Sequence, residues 1–190
     1  MSTYKQILNA AFNQFSELGY EKASLSLIAN EVGISKPALY YHFASKEALF
    51  ETLYDAIISE IIKNFHTNLE SWTIETYPKK LIEVGLEDIH YLKEHPQLGS
   101  ILKQYHLLSM RQESLKQKTR YLEEETLAYH RQLINRGVAL GFFKDEESEF
   151  IAEAFNAQLT GISWSIIVRP TGSYELSWKI LMDKLLDNRN

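Results

Sequence analysis

Residues 24–50 read SLSLIANEVGISKPALYYHFASKEALF, and this stretch decides the fold. Ser24 precedes an apolar run in which Ile28 and Val32 recur at helical spacing, so a helix is expected over Leu25–Val32. Ala29 is small enough for a second helix to approach closely, and Gly33 stands where the chain must leave the first at a tight angle. Ser35 then caps a further short helix over Lys36–His42, with Pro37 tolerated in its first turn. Ile28, Val32, Ile34, Leu39 and Phe43 are spaced to pin the two helices together. That leaves Lys36, Ala38, Tyr40, Tyr41 and His42 on faces that a core does not consume. A short helix carrying a lysine, two adjacent tyrosines and a histidine suits a DNA groove.

Upstream, Ile7, Leu8, Ala11, Phe12, Phe15 and Leu18 follow the helical period, and Gly19 supplies a stop. Downstream, Ser45 is placed to cap a long fourth helix, with Glu47 in its first turn and apolar residues from Leu49 to Phe65 three and four apart. That helix is too long for a small DNA-binding module alone and is expected to run into a second domain. After a polar stretch, helices are expected over Tyr77–Glu94, 97–109, 111–136, 147–168 and Tyr174–Asp187. Gly137 is read as the stop of the third of these and Asp145 as the cap of the fourth. No alternating strand pattern or internal repeat appears, so the fold class is all-α. The last two helices are apolar on more than one side, through residues such as Phe150, Phe155, Ile162, Trp178, Ile180 and Leu181. The surplus suits a four-helix interface between two copies, the alternative being a thicker core within one chain.

Composition narrows the function further. With 190 residues, 45% of them hydrophobic, the chain can bury one substantial core or two smaller ones. It has no cysteine, which fits a reducing cytoplasm. MSTYKQILNAAFNQF lacks the pattern of a signal peptide, and the nearly apolar run 159–168 is far short of a membrane span. A soluble, cytoplasmic protein is expected. The formal net charge of −5 is awkward for a DNA binder, and residues 1–54 carry four lysines against five glutamates. Phosphate contacts must therefore lean on hydroxyls, backbone N–H groups and a few placed lysines, with a shallow salt dependence of binding. The six histidines, His42, His66, His90, His95, His106 and His130, include no pair four apart, and Glu123 to Glu125 reads as a solvated helix face. Without a glycine-rich phosphate loop, a nucleophile elbow or a credible Ser/His/Asp order, no enzyme activity, cofactor or metal is expected.

These residues resemble the TetR family of bacterial transcriptional regulators. The resemblance runs through Phe15-Ser16-Glu17-Leu18-Gly19-Tyr20, Leu27-Ile28-Ala29, Val32-Gly33-Ile34-Ser35-Lys36, Leu39-Tyr40-Tyr41-His42-Phe43 and Ser45-Lys46-Glu47-Ala48-Leu49, about the first quarter of the chain. It implies a three-helix DNA-binding domain over residues 1–46, a helical effector-binding and dimerisation domain over 47–190, and a homodimer on a palindromic operator of double-stranded DNA. By motif position it implies DNA contacts from Ser26, Ser35, Lys36, Pro37, Ala38, Tyr40, Tyr41, His42 and Lys46. Lys36 would reach a guanine edge or a phosphate, Tyr40 and His42 phosphates, and Ala38 and Tyr41 a thymine methyl or the sugar-phosphate wall. Many relatives carry glycine or another small residue where Pro37 stands. The ring removes an N–H donor and offers an apolar contact instead. Aromatic and polar side chains are dense in the second domain, and Tyr105, His106, Tyr121 and Phe155, on central helices, are the candidate contacts to a small-molecule effector. The function implied is a ligand-responsive repressor released by its effector. The alternatives are an effector-independent nucleoid or division-linked DNA-binding protein on the same scaffold, and a helical small-molecule sequestering protein that has lost DNA binding.

Overall fold

A computed structural model describes residues 2–65 and 67–187, and all the regular structure among them is helical. The helices are α1 (Thr3–Lys22), α2 (Leu25–Val32), α3 (Lys36–His42), α4 (Lys46–Lys63), α5 (Tyr77–Glu94), α6 (Pro96–Ser109), α7 (Glu113–Ala139), α8 (Ser148–Val168) and α9 (Tyr174–Asp187). Short 3₁₀ turns at Leu69–Ser71 and Asp145–Glu147 punctuate the chain. None of the described helices is long and apolar enough to cross a membrane.

Two compact units divide these residues. The first comprises Met1–Lys63 and Gln97–Leu122, the second Asn64–Pro96 and Glu123–Asn190. In the first, local caps set the start of each short helix. Ser24 Oγ accepts from Leu27 N, Ser35 Oγ from Ala38 N, and Ser45 Oγ from Ala48 N at 3.1 Å, each meeting one of the donors a helix start leaves over. Gly33 ends α2 in the left-handed region at φ 76°. Ile7, Phe15, Ile28, Leu39 and Leu49 are fully buried and tie α1 to α4 together. An aromatic stack continues this core: Phe15 meets Phe50 edge-on at 4.8 Å, and Tyr105 lies flat between Phe50 at 4.1 Å and Tyr54 at 3.9 Å.

The second unit is built on α5, the latter part of α7, α8 and α9. Gly85 of α5 lets Trp178 of α9 lie directly against the backbone, where a Cβ would collide with the indole, and Trp178 Nε1 donates to Ile82 O at 2.9 Å. Tyr77 donates to Leu133 O at 3.0 Å, so the start of α5 is fastened to α7 by a buried hydroxyl that is fully used. Arg136 of α7 donates to the carbonyls of Trp72 and Glu70, which holds the first 3₁₀ turn.

Three local expectations need correction. Gly137 does not end α7, which runs on to Ala139. The glycine is needed because a Cβ there would strike the Tyr77 hydroxyl and the Phe143 ring. The stop is Gly141, at φ 79°. Asp145 opens a 3₁₀ turn and caps nothing with its side chain, and α8 starts at Ser148 with its Oγ donating to Asp145 O. Gly19 does break α1, at φ 81° and ψ 159°, but one more turn follows to Lys22.

Candidate nucleic-acid interface

α3 is anchored by one side chain and otherwise open. Leu39 is fully buried, and Phe43 just beyond it is 4% exposed. Ser35, Lys36, Pro37, Ala38, Tyr40, Tyr41 and His42 are all exposed. Tyr41 stands out at 88% exposed, far more than folding requires of an aromatic ring, and its edge meets the His42 ring at 5.5 Å. The Lys36 ammonium lies 5.9 Å from the Tyr40 ring centre, so charge and phenol form one patch along the helix. Ser35 faces outward, but its Oγ already accepts from Ala38 N, leaving its hydroxyl proton for a partner. Ser26 is half-buried on α2.

Lys46 lies apart from this patch. Its ammonium donates to Tyr20 O at 2.8 Å, Ala23 O at 3.2 Å and Glu21 O at 3.4 Å, and it sits 4.4 Å from the Tyr20 ring centre. Three donors meet three carbonyls at the end of α1, where the helix dipole favours a cation. The structure therefore places Lys46 as a clamp between α1 and α4. Beside it Tyr20 donates to Glu47 Oε1 at 3.0 Å. Burial, and then Glu47, push the Tyr20 phenol up, while the backbone N–H, Ser45 and Tyr20 hold the Glu47 carboxyl down.

Further polar groups brace the same unit without having announced themselves in the sequence. Glu31 accepts from Asn13 at 3.0 Å and from Gln14 at 2.8 Å, tying α2 to α1. Ser100 of α6 donates to Ser16 O at 2.9 Å. Gln104 donates to Phe15 O at 2.8 Å and accepts from Tyr20 N, bridging the break at Gly19. These partners are 84 and 89 residues apart along the chain, beyond the reach of any local pattern.

The candidate effector residues do not come together in one unit. Tyr105, His106 and Tyr121 belong to the first and Phe155 to the second. Tyr105 is fully buried, its hydroxyl donating to Phe50 O at 2.6 Å, whereas Tyr121 is 50% exposed. His106 is half-buried. Phe155 lines a groove of about 1050 Å³ beside α8 and α9, together with Phe142, Phe150, Trp178, Leu181 and Met182. Among the described residues no three metal-ligating side chains cluster; His66 lies outside them.

Comparison with known proteins places this geometry. Residues 7–53 match the sequence model of the bacterial regulatory proteins of the tetR family. The chain is 33% identical over 120 residues to the HTH-type transcriptional regulator UidR of Escherichia coli, covering 55% of this chain and 59% of that one. It is 30% identical over 105 residues to IcaR of Staphylococcus aureus, the negative transcriptional regulator of the biofilm operon icaADBC, covering 53% and 55%. Such matches span 22% to 59% of the curated relatives' own length. Its fold is that of a TetR transcription regulator from Haloarcula marismortui, with a TM-score of 0.82 at 19% identity over 97% of this chain and 96% of the other.

Proposed function

Taking as premise that this chain carries the helix-turn-helix domain of the TetR family, we propose that it is a ligand-responsive transcriptional regulator. It binds a palindromic operator as a homodimer and represses until a small-molecule effector releases it. The observation that carries this reading is the open face of α3. Lys36, Pro37, Ala38, Tyr40, Tyr41 and His42 are held outward by a helix whose Leu39 is locked in the core, leaving a rigid, solvated surface of groove-fitting size. Lys36 is the cation of that surface and reaches a guanine edge or a phosphate. Tyr40 and His42 take phosphates, Tyr41 and Ala38 the apolar edge of a thymine or the sugar wall, and Ser26 and Ser35 complete the backbone contacts. Lys46 contributes by fixing the angle at which α1 meets α4.

Release follows if the effector prefers a dimer whose two α3 helices no longer match major grooves about 34 to 36 Å apart. A near-complete switch needs roughly a 10⁴-fold preference for that state. The effector site belongs to the C-terminal part of the chain, with Phe155 its best-placed expected member. Relatives named as regulators support a regulatory role in place of an enzymatic one, and action on chromosomal DNA puts the protein in the cytoplasm.

The test begins with fragments pulled from genomic DNA by the purified protein, which define an operator for fluorescence anisotropy. Lys36→Ala is expected to weaken operator binding by about 1–3 kcal/mol and random DNA less, and Tyr40→Phe to weaken it without shifting the melting temperature. Unchanged affinity in both variants would remove α3 as the reading surface.

A further inference from the structure

Tyr4 carries a hydroxyl that the fold does not use. It stands in the first turn of α1, 41% exposed, and its ring stacks on that of Phe43 with centres 5.3 Å apart and planes 25° apart. Phe43 is the residue on which α3 ends, so the phenol lies against the end of the helix that carries Tyr40, Tyr41 and His42. The stack engages the carbon atoms of the ring, for which a phenylalanine would serve as well. The hydroxyl makes no hydrogen bond with any described residue.

Other tyrosines of this unit show what a structural hydroxyl does. Tyr20 donates to Glu47 Oε1 at 3.0 Å, Tyr105 donates to Phe50 O at 2.6 Å, and Tyr54 pairs with Thr119 Oγ1 at 3.1 Å. Tyr4, Tyr40, Tyr41 and Tyr121 pair with no described residue, and three of these four stand on α3 or against its end. Charge selects what such a hydroxyl meets. The two segments joined by the stack, residues 1–16 and 32–46, contain no aspartate or glutamate in a chain that has 25 acidic residues, and they hold Lys5, Lys36 and Lys46. Lys46 is engaged by carbonyls at the end of α1, but Lys5 is exposed and in no ion pair with a described residue. Acid-free segments with an uncommitted ammonium group suit an anion. Length says which anion: α3 has seven residues, about 10 Å at the α-helical rise, against a major groove about 12 Å wide. A helix of that length seated in the groove ends at its wall, a line of phosphates, and Tyr4 lies at that end.

We propose that Tyr4 is a further DNA contact, its phenol donating to a backbone phosphate next to the one met by His42. This rests on the reading of α3 as the DNA-binding helix and extends the contact to the first turn of α1. A phosphate contact positions the protein and carries no sequence information, so Tyr4 adds affinity on operator and random DNA alike.

Fluorescence anisotropy of the full chain with two labelled duplexes, the operator recovered by pull-down and a random sequence of equal length, tests this. Tyr4→Phe keeps the stack and deletes only the hydroxyl. It is expected to weaken binding to both duplexes by the same factor, about tenfold or more for a dimer that loses the bond twice, with an unchanged melting temperature. Lys36→Ala is the reference, weakening the operator more than the random duplex. Unchanged affinity in Tyr4→Phe while Lys36→Ala is impaired would remove Tyr4 and leave α3 as the reading surface. A loss confined to the operator would make the hydroxyl a base contact and overturn the phosphate assignment, and a lower melting temperature would make it part of the fold. A native chain that pulls down no fragment and binds no random duplex would remove α3 and Tyr4 together.

Discussion

His130 shows how a single buried side chain governs the response to acid. It is 3% exposed, its Nδ1 lies 3.0 Å from Asn156 Oδ1, and Phe155 meets its ring edge-on at 5.0 Å. Burial holds its pKa down to about 4 against the usual 6.5 of a free imidazole, the amide contact opposing only in part. The folded ring therefore stays neutral where the unfolded chain takes up a proton. Its stabilising contribution is complete above pH 6.5 and is lost as the pH falls towards 4, on the order of 3 kcal/mol in all. His130→Gln removes this trend, so its urea midpoint is expected to fall less between pH 7 and pH 5 than that of the native chain, whatever its starting value. Equal falls in the two proteins would mean that the imidazole is not held neutral.

At the scale of elements, the end of α1 carries the most specific geometry. Gly19 adopts φ 81° and ψ 159°, a region that side-chain-bearing residues essentially do not enter. A Cβ there would have room, its nearest neighbour being Gln104 Oε1 at 3.9 Å, so the demand is on the backbone. Gly19→Ala is expected to cost about 1–3 kcal/mol of folding stability in chemical denaturation. Gln104→Ala strands the Phe15 carbonyl and the Tyr20 amide and is expected to cost a similar amount, about 1–3 kcal/mol. Because both act on one break, the double variant should lose less than the sum. Strict additivity would mean that Gln104 does not serve the break. The same region shows what was legible in the sequence. The bounds of α2, α3, α5 and α9 follow from local features, a serine cap, a Pro in the first turn, a glycine or Pro-Thr-Gly turn after the last apolar residue, and the structure has them where expected. The clamp role of Lys46 and the bridge by Gln104 depend on carbonyls that only tertiary packing brings within reach. Gly137 departs from expectation for a related reason: a glycine needed for close approach to Tyr77 and Phe143 looks, in one dimension, like a stop. The open face of α3 was legible because Leu39 alone holds the core spacing among its neighbours. Which aromatics of the later helices face a cavity is not legible in the same way, because an aromatic at helical spacing lines a cavity as readily as it packs into a core, and Tyr105 packs between Phe50 and Tyr54.

For the molecule as a whole, the charge and the apolar surplus point to assembly. The first unit, taken with α6 and the start of α7, holds ten lysines and arginines against eight acidic residues, while the second holds ten against seventeen. The acidity of the chain therefore belongs to the unit that does not carry α3, and under the proposed function, without a strong cationic field, operator affinity is expected to depend on two α3 helices engaging together. The α8 and α9 faces supply the means. Phe150 is 73% exposed, Leu176 59%, Ile180 49% and Leu181 39%, and Phe150 and Leu181 border the groove of about 1050 Å³. An isologous dimer would bury each of these twice, at about 1.5–3 kcal/mol for each large side chain fully withdrawn from water. The variant carrying Phe150→Glu and Leu181→Glu is expected to sediment as a monomer at about 10 µM, where the native chain sediments as a dimer, to keep its helical circular dichroism and cooperative melting, and to lose operator affinity by about 10²-fold or more as the second half-site contact disappears. A native chain that sediments as a monomer would remove the dimer from the proposal. A double variant that stays dimeric would move the interface to another surface. Were these side chains packed inside a thicker single-chain core, two buried carboxylates would abolish the melting transition altogether, so melting and sedimentation together separate an interface from an interior.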